Sequence, residues 1–270
     1  MRASVTQIEQ FQLCEVKHDY SYQRRLEPVQ EDSSAIYQRI GRVVAESIEI
    51  GIKKGVDGKR PAKAYASDYL SAQLGNEKDL EKAAICVDKL PDHIWDIPLP
   101  MSEDKLEVEY GSHTVVGVPD LWWVESDGEG VLALHVEEFK TGYQAGSKAS
   151  EKLVNYEKWG IQASRYAVLL HDKYEWLRGL PIYRRHILMS YSGRGKAYVG
   201  RELLVSDATL DKTRTEMLTL VERMDTLVTP THHFGMLCNW CKYSPICWGY
   251  LTGLDEDDII ATSYKRKERK

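Results

Sequence analysis

Thr114-Val115-Val116-Gly117-Val118-Pro119-Asp120-Leu121-Trp122-Trp123-Val124 and Val131-Leu132-Ala133-Leu134-His135-Val136-Glu137-Glu138-Phe139-Lys140 decide how this chain is read. Both runs are rich in β-branched and aromatic residues, and Asp127-Gly128-Glu129-Gly130 between them is a turn signal. Upstream, Leu106-Glu107-Val108-Glu109-Tyr110 alternates like a half-exposed strand, and Gly111-Ser112-His113 turns the chain. A meander of three strands follows, with Asp120 on the second and Glu138 on the third, side by side. Side chains alternate faces along a strand, so Glu138 and Lys140 share one face and Phe139 points to the other. Two carboxylates and an ammonium then converge.

That convergence has a chemical use. Two hard oxygen anions can hold Mg²⁺ or Mn²⁺, ions that take one or two carboxylates and keep several waters. Such a site polarises a phosphoryl oxygen and activates water, while Lys140 can orient that water or stabilise developing negative charge. The plainer reading is a surface meander whose acids and lysine face solvent, since charged triplets are common. The surrounding sequence bears on the choice.

Gly117-Val118-Pro119-Asp120 followed by Glu138-Phe139-Lys140-Thr141-Gly142 resembles the RecB-like branch of the PD-(D/E)xK nucleases. Gln162-Ala163-Ser164-Arg165-Tyr166 is similar to that branch's Q-x-x-x-Y element. Gln162 and Tyr166 are four apart in a helical segment read as roughly 147–171, and so share one helix face. The resemblance implies Asp120 and Glu138 as metal ligands, joined by the backbone carbonyl of Phe139. It implies Lys140 as the residue that positions the attacking water, and Gln162 and Tyr166 as lining the DNA path. One element departs from the family, whose preceding helix carries G-x-x-x-H. Here Gly41-Arg42-Val43-Val44-Ala45-Glu46 puts alanine at the histidine position. Glu46, or Glu49, would reach the site if that helix were rotated.

Cys238, Cys241 and Cys247 form C-x2-C-x5-C in a chain with five cysteines. Met1 to Gln7 lacks the apolar core of a signal peptide, and no run of about eighteen apolar residues spans a membrane. A reducing cytoplasm is expected, where clustered cysteines read as metal ligands rather than disulfides. Three thiolates need a fourth ligand, and Cys14 is the best candidate. Its segment resembles the first-cysteine helix of the iron–sulfur RecB-like nucleases, which include the CRISPR-adaptation exonucleases and the AddB nuclease domain. The resemblance implies a 4Fe–4S cluster on Cys14, Cys238, Cys241 and Cys247 that staples the chain ends together. Zinc, held by four thiolates or by three with His18, His232 or His233, is the alternative. Cys86 lies in the apolar face of Lys82-Ala83-Ala84-Ile85-Cys86-Val87 and reads as core filler.

The organisation expected is one α/β domain over 1–254: a mixed β-sheet flanked by helices, a restriction-endonuclease-like core over about 33–205. A charged C-terminal tail would occupy 255–270. The helix carrying Gly41 is capped by Asp32 or Ser33, and Ile36, Ile40, Val43, Val44 and Ile48 stripe its inner face. A helical insert follows at 67–90, strands at 183–190 and 196–205, and a helix from Asp207 to about Leu227. Residues 55–61 read as the most flexible loop. The net charge of −5 supplies no global field for a polyanion, although Arg24-Arg25, Lys53-Lys54, Lys59-Arg60, Arg184-Arg185 and Lys265 to Lys270 are local basic groups. Asp255-Glu256-Asp257-Asp258 reads as a solvated acidic run.

The resemblance implies a Mg²⁺- or Mn²⁺-dependent DNA exonuclease acting on single-stranded or frayed ends. The setting would be CRISPR adaptation, recombination or phage DNA processing, with any unwinding left to a helicase partner. The alternative is a non-catalytic DNA-binding adaptor that kept the fold and the cluster.

Overall fold

The computed structural model describes residues 1–29, 33–54, 59, 62, 64–65, 77–95, 97, 105–127, 129–142, 147–192, 195–235, 238–239 and 241–267. Of the two capping candidates, Asp32 lies outside them and so does the Ser33 side chain, as do the Ile36 side chain, 67–76 of the expected insert, most of the 55–61 loop and 268–270.

A five-stranded mixed sheet forms the centre. Strands β5 (Leu121–Ser126), β6 (Val131–Gly142), β7 (Ile182–Ser190) and β8 (Lys196–Val199) lie in that order, and β9 (Leu203–Leu204) also pairs with β7. β5 and β6 are antiparallel, whereas β6 and β7 are parallel. A parallel pair needs a long crossover, and α5 (Ser147–Trp159) with α6 (Gln162–Lys173) provides it. Helices cover both faces. On one side α3 (Ser33–Lys53) and α4 (Glu77–Asp88) bury Ile40, Val43, Val44, Ile48, Cys86 and Val87 against Leu121, Phe139, Ile187 and Met189. On the other, α6, α1 (Val5–Leu13) and α7 (Asp207–Thr226) pack Ile8, Phe11, Val168, Leu169, Met217 and Val221 against Trp122, Leu134 and Val136. This is the mixed α/β architecture expected.

The strand read as 114–124 is two strands. β4 (His113–Gly117) ends before Val118-Pro119-Asp120, and β5 starts after it. β4 belongs to a second sheet of order β1-β4-β3, with β1 (Arg2–Ser4) parallel and β3 (Leu106–Tyr110) antiparallel to it. Pro119 has no N–H to give a ladder, so the chain passes from one sheet to the other there. The meander is therefore two hairpins in two sheets, and Asp120 sits at the crossing.

The helix read as 147–171 breaks between α5 and α6. A Cβ on Gly160 would come within 2.4 Å of the Tyr156 carbonyl oxygen and 2.9 Å of His186 Nε2. Arg184 donates to the Gly160 carbonyl at 3.1 Å and to the Glu157 carbonyl at 2.9 Å, closing the end of α5. The break starts α6 at Gln162.

The chain ends form a third unit. α2 (Glu15–His18), β2 (Leu26–Pro28), α8 (Ser244–Thr252), α9 (Glu256–Ser263) and β10 (Tyr264–Arg266) enclose Val16, Tyr20, Leu26, Tyr243, Ile246 and Tyr264. Residues 255–267 are thus no free tail. Asp255 caps α9, and Glu256, Asp257 and Asp258 fill its first turn, where the helix dipole favours negative charge. β10 pairs antiparallel with β2, and Tyr264 is buried with its hydroxyl donating to the Lys242 carbonyl at 2.7 Å. No described helix is long and apolar enough to cross a membrane.

Candidate active site

Asp120 and Glu138 meet because β5 and β6 pair with Leu121 opposite Glu137. One residue before that pair, Asp120 Oδ2 accepts the Phe139 backbone N–H at 2.7 Å. Alternation then sorts the third strand as the sequence predicts: Phe139 enters the core beneath α3 and α4, while Glu138 and Lys140 bond each other on the opposite face. Lys140 Nζ donates to Glu138 Oε1 at 2.5 Å and to Gln162 Oε1 at 2.8 Å, and Gln162 Nε2 donates to the Tyr166 hydroxyl at 2.9 Å.

These groups line a cleft of about 530 Å³ formed by Gly41, Val44 and Ala45 of α3, the end of β6, Asp120, Gln162 and Met189. Ala45, at the position that the resemblance assigns to a histidine, lies in the cleft wall. Glu46 is not among the lining residues, and its Oε2 accepts from the Tyr65 hydroxyl at 3.1 Å. Glu49 pairs with Lys53. Tyr166 is buried at 4 % exposure, so of the two expected DNA-path residues only Gln162 reaches the cleft wall.

Burial sets the electrostatics. It raises the Glu138 pKa, and the charge and hydrogen bond of Lys140 offset this only in part. For Lys140, burial works to lower the pKa, but the charges of Glu138 and Asp120 outweigh it and the net shift is upward. The Tyr166 phenol is raised by burial and then by the Glu138 charge, and stays neutral. Glu138 Oε2 is buried with no hydrogen-bond partner, a costly arrangement for a carboxylate. A hard cation shared with Asp120 would satisfy it, so these donors fit the divalent ion that the family generally uses. Two carboxylates are what the cleft offers: among the described residues, no group of three or more His, Cys, Asp or Glu is arranged to hold a metal ion.

One charge near the cleft escaped the sequence reading. The Glu9 carboxylate on α1 acts on Glu138, Lys140, Tyr166 and Arg165. Gln12, three residues on, accepts from Arg165 Nη2 at 2.7 Å, which fixes α1 against α6. Nothing in the spacing of α1 marks Glu9.

The four cysteines singled out share one lining, although they too are not arranged as a group that holds a metal ion. Cys14, Cys238, Cys241 and Cys247 line one small cavity of about 20 Å³ with Lys17, His232 and His233. All are free thiols. Cys14 Sγ accepts the Lys17 N–H and Cys238 Sγ the Gly235 N–H, each at 3.4 Å. Burial, then the neighbouring thiols, pushes Cys247 up to about 12. Cys86 lies apart, fully buried and raised to about 12 by burial, as core filler should be.

The cleft thus sets two carboxylates and a lysine beside one another at the end of β6. The chain belongs to the PD-(D/E)XK nuclease superfamily, whose family model matches residues 2–248. Among solved structures, a Eubacterium rectale protein described provisionally as an exonuclease shares the fold. Its TM-score is 0.54 at 14 % identity, covering 89 % of this chain and 86 % of that one. No curated protein matches the chain.

Proposed function

We propose that this protein is a metal-dependent DNA nuclease that hydrolyses phosphodiesters from single-stranded or frayed ends. The observation that carries the reading is the meeting of Asp120, Glu138 and Lys140 in an open cleft, with Glu138 Oε2 buried and unpartnered. Asp120, Glu138 and the Phe139 carbonyl would hold Mg²⁺ or Mn²⁺. When bound, the ion supplies Lewis acidity to the phosphoryl oxygen and acidifies water. The chain's own part is positioning and charge. Phe139 N–H aims Asp120, Glu138 anchors Lys140, and the Lys140 ammonium orients the attacking water and stabilises the charge that grows on the phosphoryl oxygens.

Cys14, Cys238, Cys241 and Cys247 are proposed to carry a 4Fe–4S cluster. Their shared cavity supports this. Zinc is the alternative occupant, and metal analysis with an absorption spectrum separates the two. The net charge of −5 leaves DNA capture to local groups. A helicase or a recombination or CRISPR-adaptation protein is the partner proposed for unwinding. Ala45 at the cleft wall favours a second reading, a non-catalytic DNA-binding adaptor.

The test is degradation of 5′- and 3′-end-labelled single- and double-stranded DNA with Mg²⁺ or Mn²⁺, by anaerobically purified protein beside Lys140→Ala. Cleavage that disappears in the variant supports the nuclease, and the end that shortens gives its polarity. Equal inertness of both proteins, with DNA still bound, overturns it in favour of the adaptor.

A further inference from the structure

The resemblance makes Gln162 and Tyr166 contacts to DNA, yet their surroundings describe another task. Tyr166 is 4 % exposed and belongs to the core between α1, α6 and α7. A ring so enclosed offers no face to a strand lying in the cleft. Its hydroxyl is spent on Gln162 Nε2, and Gln162 Oε1 is spent on Lys140 Nζ. The orientation of the amide follows from chemistry. An ammonium has only protons to give, so the atom facing Lys140 must be the amide oxygen, which turns the nitrogen to Tyr166.

Gly117 fits the same account. A Cβ there would stand 2.9 Å from Tyr166 Cε1 and 2.8 Å from Leu169 Cδ1, so the end of β4 carries no side chain where the ring packs. The start of α6 at the Gly160 break sets the height of Gln162 above β6. Three elements thus fix one amide.

We propose that Gln162 and Tyr166 are positioning residues that lock the Lys140 ammonium against Glu138, and not binding contacts to DNA. Of the three ammonium protons, Glu138 and Gln162 each take one, which leaves the third for the reacting water or the scissile phosphate. Lysine is a point charge on a flexible stem. Without the amide, its head is free to swing along the cleft. The inference rests on the nuclease reading, so its test needs one readout that does not depend on cleavage.

Gln162→Leu removes the acceptor, Gln162→Glu keeps an oxygen for Lys140 while adding negative charge, and Tyr166→Phe removes only the hydroxyl. Positioning predicts that the single-turnover rate at saturating DNA falls between about 10- and 100-fold in Gln162→Leu, less in Gln162→Glu and Tyr166→Phe. Metal-free DNA affinity should stay within about twofold for all three. A DNA contact predicts the reverse: weaker affinity, worst for Gln162→Glu, with the rate at saturation unchanged. The independent readout is acetylation of Lys140 by an N-hydroxysuccinimide ester, followed by peptide mass spectrometry. Faster labelling in Gln162→Leu supports the lock even if the wild type cleaves nothing and the nuclease reading falls. Labelling at the wild-type rate, or weakened affinity at full rate, overturns it.

Discussion

Glu138 sits where its own charge is disfavoured. Burial raises its pKa, so the folded protein holds that proton to higher pH than the unfolded chain does. The sign follows: ionised Glu138 costs stability as pH rises through its folded value, and a bound cation recovers that cost only once the proton has left. Mn²⁺ should therefore raise the thermal midpoint more at about pH 8 than at about pH 5; an equal rise at both would place the ion elsewhere. Ala45 lends itself to a gain-of-function experiment at the same scale. Ala45→His adds a nitrogen ligand to the cleft wall, and Mn²⁺ affinity by calorimetry should tighten about 10-fold or more. Gly117→Ala should cost about 1–3 kcal/mol in denaturant unfolding, because Tyr166 and Leu169 are too enclosed to yield.

Among the elements, the α5–α6 break matters most to the cleft, since it decides which residue opens α6. Arg184 holds the Glu157 carbonyl near the end of α5 and the Gly160 carbonyl just past it. Arg184→Ala should destabilise by about 1–3 kcal/mol and slow cleavage, with both changes read on one preparation by urea titration and end-labelled DNA. This break shows where sequence stops informing. Asp120, Glu138 and Lys140 were legible because strand alternation and a short hairpin are local rules, and the cysteines because few thiolates have few partners. The Gly160 break was not, since the His186 ring on β7 and the Arg184 bonds that meet it exist only after the crossover has packed. Pro119 did signal the change of sheet, but the β-rich residues on both sides hid it. Tyr166 could be placed on the right helix face without revealing that this face is covered by α1.

At the scale of the whole molecule, the acidic run is largely solvent-exposed as expected yet opens a folded helix, because composition describes solvation and not pairing. Ending the chain after Leu254 removes α9 and β10 and uncovers Tyr243, on which Tyr264 stacks. The thermal midpoint should drop by several degrees, whereas loss of a solvated tail would leave it unchanged; differential scanning calorimetry decides. Cys14→Ser should abolish any cluster absorbance while leaving the Asp120–Glu138 cleft able to bind Mn²⁺, because the two sites share no ligand. The pairing of β2 with β10, and the bond from Tyr243 to the Leu26 carbonyl across 217 residues, also set an order of events at the ribosome. Residues near the start must wait, unpaired, until residues 264–266 have emerged from the exit tunnel. Such distant closure is slow to find. A chain cut short before that point leaves β2 without its partner strand and Tyr243 without the ring that stacks on it.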